Sequence, residues 1–229
     1  MRRDILAAMD VETQARRACV LITNMTNGEQ RLYLDACEPS DALEAAARDA
    51  LREGRSVAQS HGACCYFFTV ALPAPRLVIV GASHVAQALA PMGAMAGFDV
   101  AIVDPRAAFA SPERFPQIRL IAQWPQDAFA AAPLDAFCAV ALLSHTPDID
   151  DAAQDAALDA GCFYIGALGS RKTQAARLAR LAAAGRAHQA DRIRAPIGLD
   201  IGAKTPAEIA VAILAEIVAT LRQRGAGAR

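Results

Sequence analysis

Arg76-Leu-Val-Ile-Val-Gly-Ala-Ser-His-Val-Ala-Gln-Ala-Leu89, followed by Val100-Ala-Ile-Val-Asp104, decides the fold. An apolar β-run enters a glycine turn, the turn opens a helix, and a second β-run ends in a lone acid. That order builds the phosphate-binding corner of a doubly wound α/β sheet. Gly81 permits the tight turn, and the helix after it points free N–H groups and its positive dipole end at an anion. Asp104 lies 21 residues beyond Ser83, where a carboxylate would receive ribose hydroxyls. Gly81, Ala82, Ser83, His84 and Val85 form a first candidate loop for a nucleotide-like or phosphorylated ligand.

The dinucleotide fingerprint G-x-G-x-x-G/A reads here Gly81-x-Ser83-x-x-Ala86. Alanine at the third position still allows close helix-to-strand packing, whereas Ser83 puts a Cβ where a pyrophosphate approaches the backbone most closely. Standard NAD binding is thereby weakened, and a ligand held differently gains ground. A plain α/β turn without ligand is the competing reading.

From Arg76 onward, strand and helix patterns alternate, the signature of a parallel sheet. Apolar runs without alternation, as in strands covered on both faces, predict strands at Leu77–Val80, Asp99–Val103, Arg119–Ile121, Ala139–Leu143 and Cys162–Ile165. Helices are predicted at His84–Ala96, Ile149–Ala160, Thr173–Ala184 and Pro206–Arg222, the last opened by Thr205, Pro206 and Glu208 as a capping box. Upstream, residues 1–74 read as a small α/β module. It holds a helix over Arg3–Arg17, a strand at Ala18–Thr23, an Asn27-Gly28 turn and a returning strand near Gln30–Leu34. A Ser40-capped helix to Glu53 follows, then a hairpin about His61-Gly62. The fold class is thus α/β: a Rossmann-like doubly wound parallel sheet over residues 75–229 with a small N-terminal α/β module.

Three further loops follow predicted strands, where ligands gather in such sheets. Asp104-Pro-Arg106 offers Arg106 either to a phosphate or to Asp104 itself. Ser144-His145 follows the strand Ala139–Leu143; His145 suits acid–base work, hydrogen bonding or metal ligation, while Asp148 and Asp150 lie nearby without a diagnostic metal spacing. Gly166-Ala-Leu-Gly-Ser-Arg-Lys-Thr173 nearly reproduces a P-loop, with Arg171 in place of the final glycine. Gly169, Ser170, Arg171 and Lys172 at a helix start still make a phosphate clamp, and cations that oppose the helix dipole there are best explained by an anionic ligand.

The 229 residues are 54% hydrophobic and 21% charged, with a formal net charge of −1. Nothing basic points to nucleic acid, and no apolar run reaches the roughly 18 residues of a membrane span. No export signal is evident at the start, and six cysteines without a C-x-x-C pair fit a reducing cytoplasm. No nucleophile–base pair stands out.

The motifs at Gly81–Pro91, Gly97–Arg106, Glu113–Pro116, Tyr164–Thr173 and Pro196–Ala210 resemble, in order, the XdhC/CoxI family of xanthine dehydrogenase accessory proteins. Ser83 stands where that family usually has glycine, and residues 1–72 lack the glycine-rich segment and cysteine of its longer members. The resemblance implies a cytoplasmic, dimeric maturation factor that binds molybdenum cofactor (molybdopterin) and delivers it to a molybdenum hydroxylase apo-enzyme, with a cysteine desulfurase as a further partner. The residues alone leave two alternatives: an NAD(P)-dependent oxidoreductase using Gly81–Ala86 and Asp104, and a scaffold for protein docking.

Overall fold

The computed structural model describes residues 2–223, apart from the side chain of Arg171. Two compact units result, one built on the residues up to Ala74 and the other on Pro75–Leu221.

The first unit runs α1 (Arg3–Gln14), β1 (Cys19–Asn24), β2 (Gln30–Leu34), α2 (Ala42–Glu53), β3 (Val57–His61) and β4 (Cys64–Ala71). Its four strands form an antiparallel sheet in the order β2-β1-β4-β3. Gly28, at φ 77°, supplies the left-handed residue that the β1–β2 turn needs. Met9 of α1 packs on Cys19 and Leu21. The cap of α2 falls one residue later than expected, on Asp41, whose carboxylate accepts the Glu44 N–H at 2.9 Å. Ser40 instead donates its N–H and hydroxyl to the Glu44 carboxylate, so the two residues share a capping box.

The second unit holds six parallel strands: β5 (Arg76–Val80), β6 (Asp99–Val103), β7 (Arg119–Ile121), β8 (Cys138–Leu142), β9 (Tyr164–Ala167) and β10 (Ile193–Arg194). Their order across the sheet is β7-β6-β5-β8-β9-β10. Numbered within this unit that is 3-2-1-4-5-6, the Rossmann order, with its reversal between β5 and β8. Helices α3 (His84–Met95), α4 (Pro125–Ala131), α5 (Pro147–Asp159), α6 (Arg171–Ala183) and α7 (Pro206–Gln223) complete it.

Strand alternation splits the core into two layers. Leu77, Ile79, Ile102, Ala139 and Ala141 face Val85, Ala86, Leu89 and Ala90 of α3 and Ala210, Ile213 and Ile217 of α7. Val78, Val80, Val103, Val140 and Leu142 face Ala128 of α4, Ile149, Ala153 and Ala157 of α5, and Leu181 of α6. Each fully buried Leu, Ile or Val contributes about 1.5–3 kcal/mol. Small residues set how closely α3 can approach: a Cβ on Gly93 would fall 2.7 Å from the Leu77 side chain.

Two short elements, α4 and β10, escape periodicity because seven and two residues are too few to establish a period. The fifth strand sits two residues later than expected, at Tyr164–Ala167. Gly166 reads in sequence as the first residue of the near-P-loop. In the sheet it is required, since a Cβ there would lie 2.5 Å from both Ile197 and the Tyr164 hydroxyl. The capping box of α7 forms as expected: Thr205 Oγ1 accepts the Glu208 N–H at 3.3 Å, and Glu208 accepts the N–H groups of Lys204 and Thr205.

Candidate functional site

In an open parallel sheet the ligand crevice opens outside the strand carboxyl ends, where the winding reverses. Here that place lies between the ends of β5 and β8, whose registers align Val80 with Leu142. The two following loops touch. A Cβ on Gly81 would fall 2.4 Å from the backbone of Ser144, and Gly81 holds φ 103°. Only glycine satisfies both demands.

The loop after β6 is tied to this junction through Asp104, which is wholly buried. Its Oδ2 accepts the Ala82 N–H at 2.8 Å and an Arg106 N–H at 2.7 Å; its Oδ1 accepts the Arg106 backbone N–H at 2.9 Å and Nε at 2.8 Å. Burial pushes this carboxyl up, but the bonds from the Arg106 side chain, Ala82 and the Arg106 backbone together hold it below its ordinary value. Arg106 reaches on to Thr146 Oγ1 at 3.4 Å and lies over the Phe109 ring at 4.7 Å. Of the two sequence readings of Arg106, the pair with Asp104 is the one the structure displays. The acid expected to meet ribose hydroxyls carries two donors on each oxygen.

Ser83 caps α3, its Oγ accepting the Ala86 N–H at 3.2 Å. His84 is exposed, while Ala82 and Val85 are buried. Ser144 is buried and donates its hydroxyl to Asp150 at 2.7 Å. His145, at φ 59°, is exposed at the tip of that loop. Asp148 is exposed, so it does not join Asp150 in a metal-binding arrangement, and no cluster of three metal-type groups occurs among the described residues.

The fourth loop follows β9. Ser170 caps α6 through the Thr173 N–H at 3.2 Å, and Gly169 holds φ 149°. Lys172 is exposed, and no ion pair involves it among the described residues. The backbone of Arg171 opens the helix, and its side chain lies outside the described set. Hydrogen bonds and backbone contact join the first three loops. The fourth flanks them, with Leu168 donating its N–H to the Leu142 carbonyl at 3.0 Å.

Of the buried Asp150, Gln154 and Arg177, the sequence reading singles out only Asp150, and only as a metal-type neighbour of His145. Acids in the first turns of a helix are ordinary, and the remaining two fall within helical runs without a motif.

The site as built is a set of polar loops and the N-termini of α3, α5 and α6 at the switch point of a Rossmann-type sheet. Residues 77–217 match the XdhC Rossmann domain, and the chain belongs to that family. It is 35% identical over 158 residues to the uncharacterized protein YqeB of Escherichia coli (strain K12), which covers 69% of this chain and 29% of YqeB. It is 32% identical over 152 residues to a probable subunit of xanthine dehydrogenase from Bacillus subtilis (strain 168), covering 66% of this chain and 44% of the relative. The molybdenum cofactor insertion chaperone PaoD of Escherichia coli (strain K12) is 35% identical over 146 residues, covering 63% and 40% of the two chains. The chain therefore spans less than half the length of these curated relatives. In fold it is similar to the crystal structure of a xanthine dehydrogenase from Bacillus halodurans, with TM-score 0.71 at 21% identity over 99% of this chain and 66% of the other.

Proposed function

We propose that this chain is a molybdenum cofactor-binding maturation factor that hands its cargo to a xanthine dehydrogenase-type molybdenum hydroxylase. One observation carries the reading: a chain related to a molybdenum cofactor insertion chaperone presents two helix N-termini at the carboxyl edge of its sheet, with Ser83 and Ser170 as their caps. Molybdopterin ends in a phosphate or a dinucleotide's pyrophosphate, and such turns attract phosphate through backbone N–H groups and dipole. The amides of His84 and Val85 at one turn and Gly169–Lys172 at the other would each offer a phosphate seat. His145 and Ser144 lie between those turns, since β8 separates β5 from β9. The strands that lead into them, β5 and β9, lie two steps apart, roughly 10 Å, with α3 and α6 on opposite faces of the sheet.

The oxidoreductase alternative is weaker on a specific ground. An NAD ribose needs a carboxylate free to accept its hydroxyls, and an NADP 2′-phosphate an arginine free to meet it; here both oxygens of Asp104 are engaged by Ala82 and Arg106, and Arg106 is engaged by Asp104. A cytoplasmic location, a homodimer and a cysteine desulfurase partner belong to the same proposal. No helix among the described residues is long and apolar enough to cross a membrane.

Equilibrium dialysis of the purified chain against molybdopterin, followed by transfer to a cofactor-free hydroxylase, tests the reading. Retention of pterin and restored hydroxylase activity are expected. Saturable NAD(P)H binding with hydride transfer to a small carbonyl, and no pterin retention, would replace it with the oxidoreductase.

A further inference from the structure

Beyond Arg171, three arginines follow one another along α6 and the turn after it, and they are treated differently. Arg180 meets Asp151 at 3.1 Å and Asp155 at 2.7 Å, and Arg186 meets Asp159 at 2.6 Å. These pairs are at least partly open to solvent and lace α6 to α5. Arg177 is 5% exposed, and among the described residues it makes no ion pair. Its Nη1 donates to Gln174 Oε1 at 2.8 Å, its Nη2 to the Leu168 carbonyl at 3.4 Å, and its buried Nε has no acceptor.

A buried charge is costly unless paired. Arg177 receives its largest through-space support from Asp150 and then Asp151, with Arg180 opposing. Asp150 forms no ion pair with Arg177 among the described residues. Burial raises its carboxyl above the ordinary value, and it already accepts the Ser144 hydroxyl and N–H. One helical turn beyond Asp150, on the same side of α5, Gln154 is wholly buried with neither amide atom partnered. The interior behind the loops after β8 and β9 thus holds a buried guanidinium without an ion pair and unmet hydrogen-bonding capacity.

Its outlet is toward the proposed site. Helical side chains lean toward the helix N-terminus, and Arg177 does so far enough to reach Leu168, the residue before Gly169 and Ser170. We propose that Arg177 is the buried counter-charge of the anion site, balancing a phosphate or pyrophosphate bound over the Gly169–Ser170 turn. The inference rests on reading those loops as an anion site. It adds a positioning residue that acts through the Leu168 carbonyl and its own field, and it assigns the ion-pair partner that Arg177 lacks to the ligand.

Calorimetric titration with inorganic pyrophosphate, paired with thermal unfolding of the unliganded chain, tests it. The wild-type chain should bind saturably. Arg177→Gln should bind about tenfold more weakly, through the loss of a nearby buried charge, with an unliganded midpoint unchanged or raised because a buried charge without an ion pair has gone. Arg177→Lys, which keeps the charge, should stay within about threefold of wild type. Wild-type affinity in Arg177→Gln overturns this inference and leaves the anion site standing. Absence of pyrophosphate binding by the wild-type chain removes the site and this inference with it. Should Arg177→Gln not fold, the double variant Arg177→Met with Gln154→Leu replaces both unmet groups by apolar ones and is read in the same way. If that too does not fold, Arg177 is a structural residue and the inference falls.

Discussion

The Ala82 N–H donates to Oδ2 of Asp104 at 2.8 Å across 22 residues of sequence, so the acid at the end of β6 closes the glycine turn at the end of β5. Arg106 completes the arrangement and carries it to Thr146. Asp104→Asn keeps one acceptor but removes the charge that Arg106 pairs with. Because the Arg106 side chain is 36% exposed, solvent screens part of the loss, and about 1–3 kcal/mol is expected. The folded-state value of Asp104 is lowered, so its contribution is present above the ordinary carboxylate value and lost as pH falls through the folded one. Urea unfolding should show a constant gap between wild type and Asp104→Asn from about pH 5 to 8, closing below about pH 4. A gap that persists into acid would assign the effect to shape alone.

Asp150 should behave with the opposite sign. Burial raises its folded-state value, so relative stability is complete below the unfolded value and lost as pH rises through the folded one. Asp150→Asn retains an acceptor for Ser144 and removes the ionised form. It should match wild type near pH 4 and exceed it by about 1 kcal/mol at pH 8, as read from urea midpoints at the two pH values. Equal stability at both would mean the buried carboxyl carries no penalty.

Gly81→Ala tests the contact on which the crevice depends. The new Cβ would lie 2.4 Å from rigid Ser144 backbone at φ 103°. A loss of about 3 kcal/mol or more is expected, from strain and overpacking together. Gly169→Ala meets only the Thr173 side chain, at 3.0 Å and φ 149°, and should cost less. Comparing the two denaturation curves checks the order; a smaller loss at Gly81 would show that the loops after β5 and β8 can separate.

The sheet was readable because its strands are covered on both faces, and continuous apolar runs such as Leu77–Val80 leave few alternatives. The four loops were readable for the same reason, since each begins where a run stops. What each polar side chain does there was not. Asp104 and Arg106 occur two residues apart whether they grip each other or a ligand, and only burial separates the cases. Ser83 departs from the dinucleotide pattern, yet the pattern says nothing of its hydroxyl occupying the Ala86 amide. Arg177 and Gln154 were invisible because unmet hydrogen-bonding capacity belongs to the packed interior and leaves no local period or motif.

Ser83 allows the effect of its Cβ to be separated from that of its cap. Its Oγ satisfies the Ala86 N–H at 3.2 Å, one of the donors a phosphate would otherwise recruit at the start of α3. Glycine is nearly as good an N-cap as serine, so Ser83→Gly should cost only a few tenths of a kcal/mol. It also opens the backbone to close approach. Pyrophosphate affinity should rise by about three- to tenfold, within the range of a charge-assisted hydrogen bond to one additional amide. Ser83→Ala loses the cap, at about 1 kcal/mol of stability, but keeps the Cβ. If steric approach limits binding, Ser83→Ala stays near wild-type affinity while Ser83→Gly improves. If the occupied amide limits it, both improve alike. Titration calorimetry of the two variants distinguishes these outcomes, and unchanged affinity in both would place the phosphate away from the α3 turn.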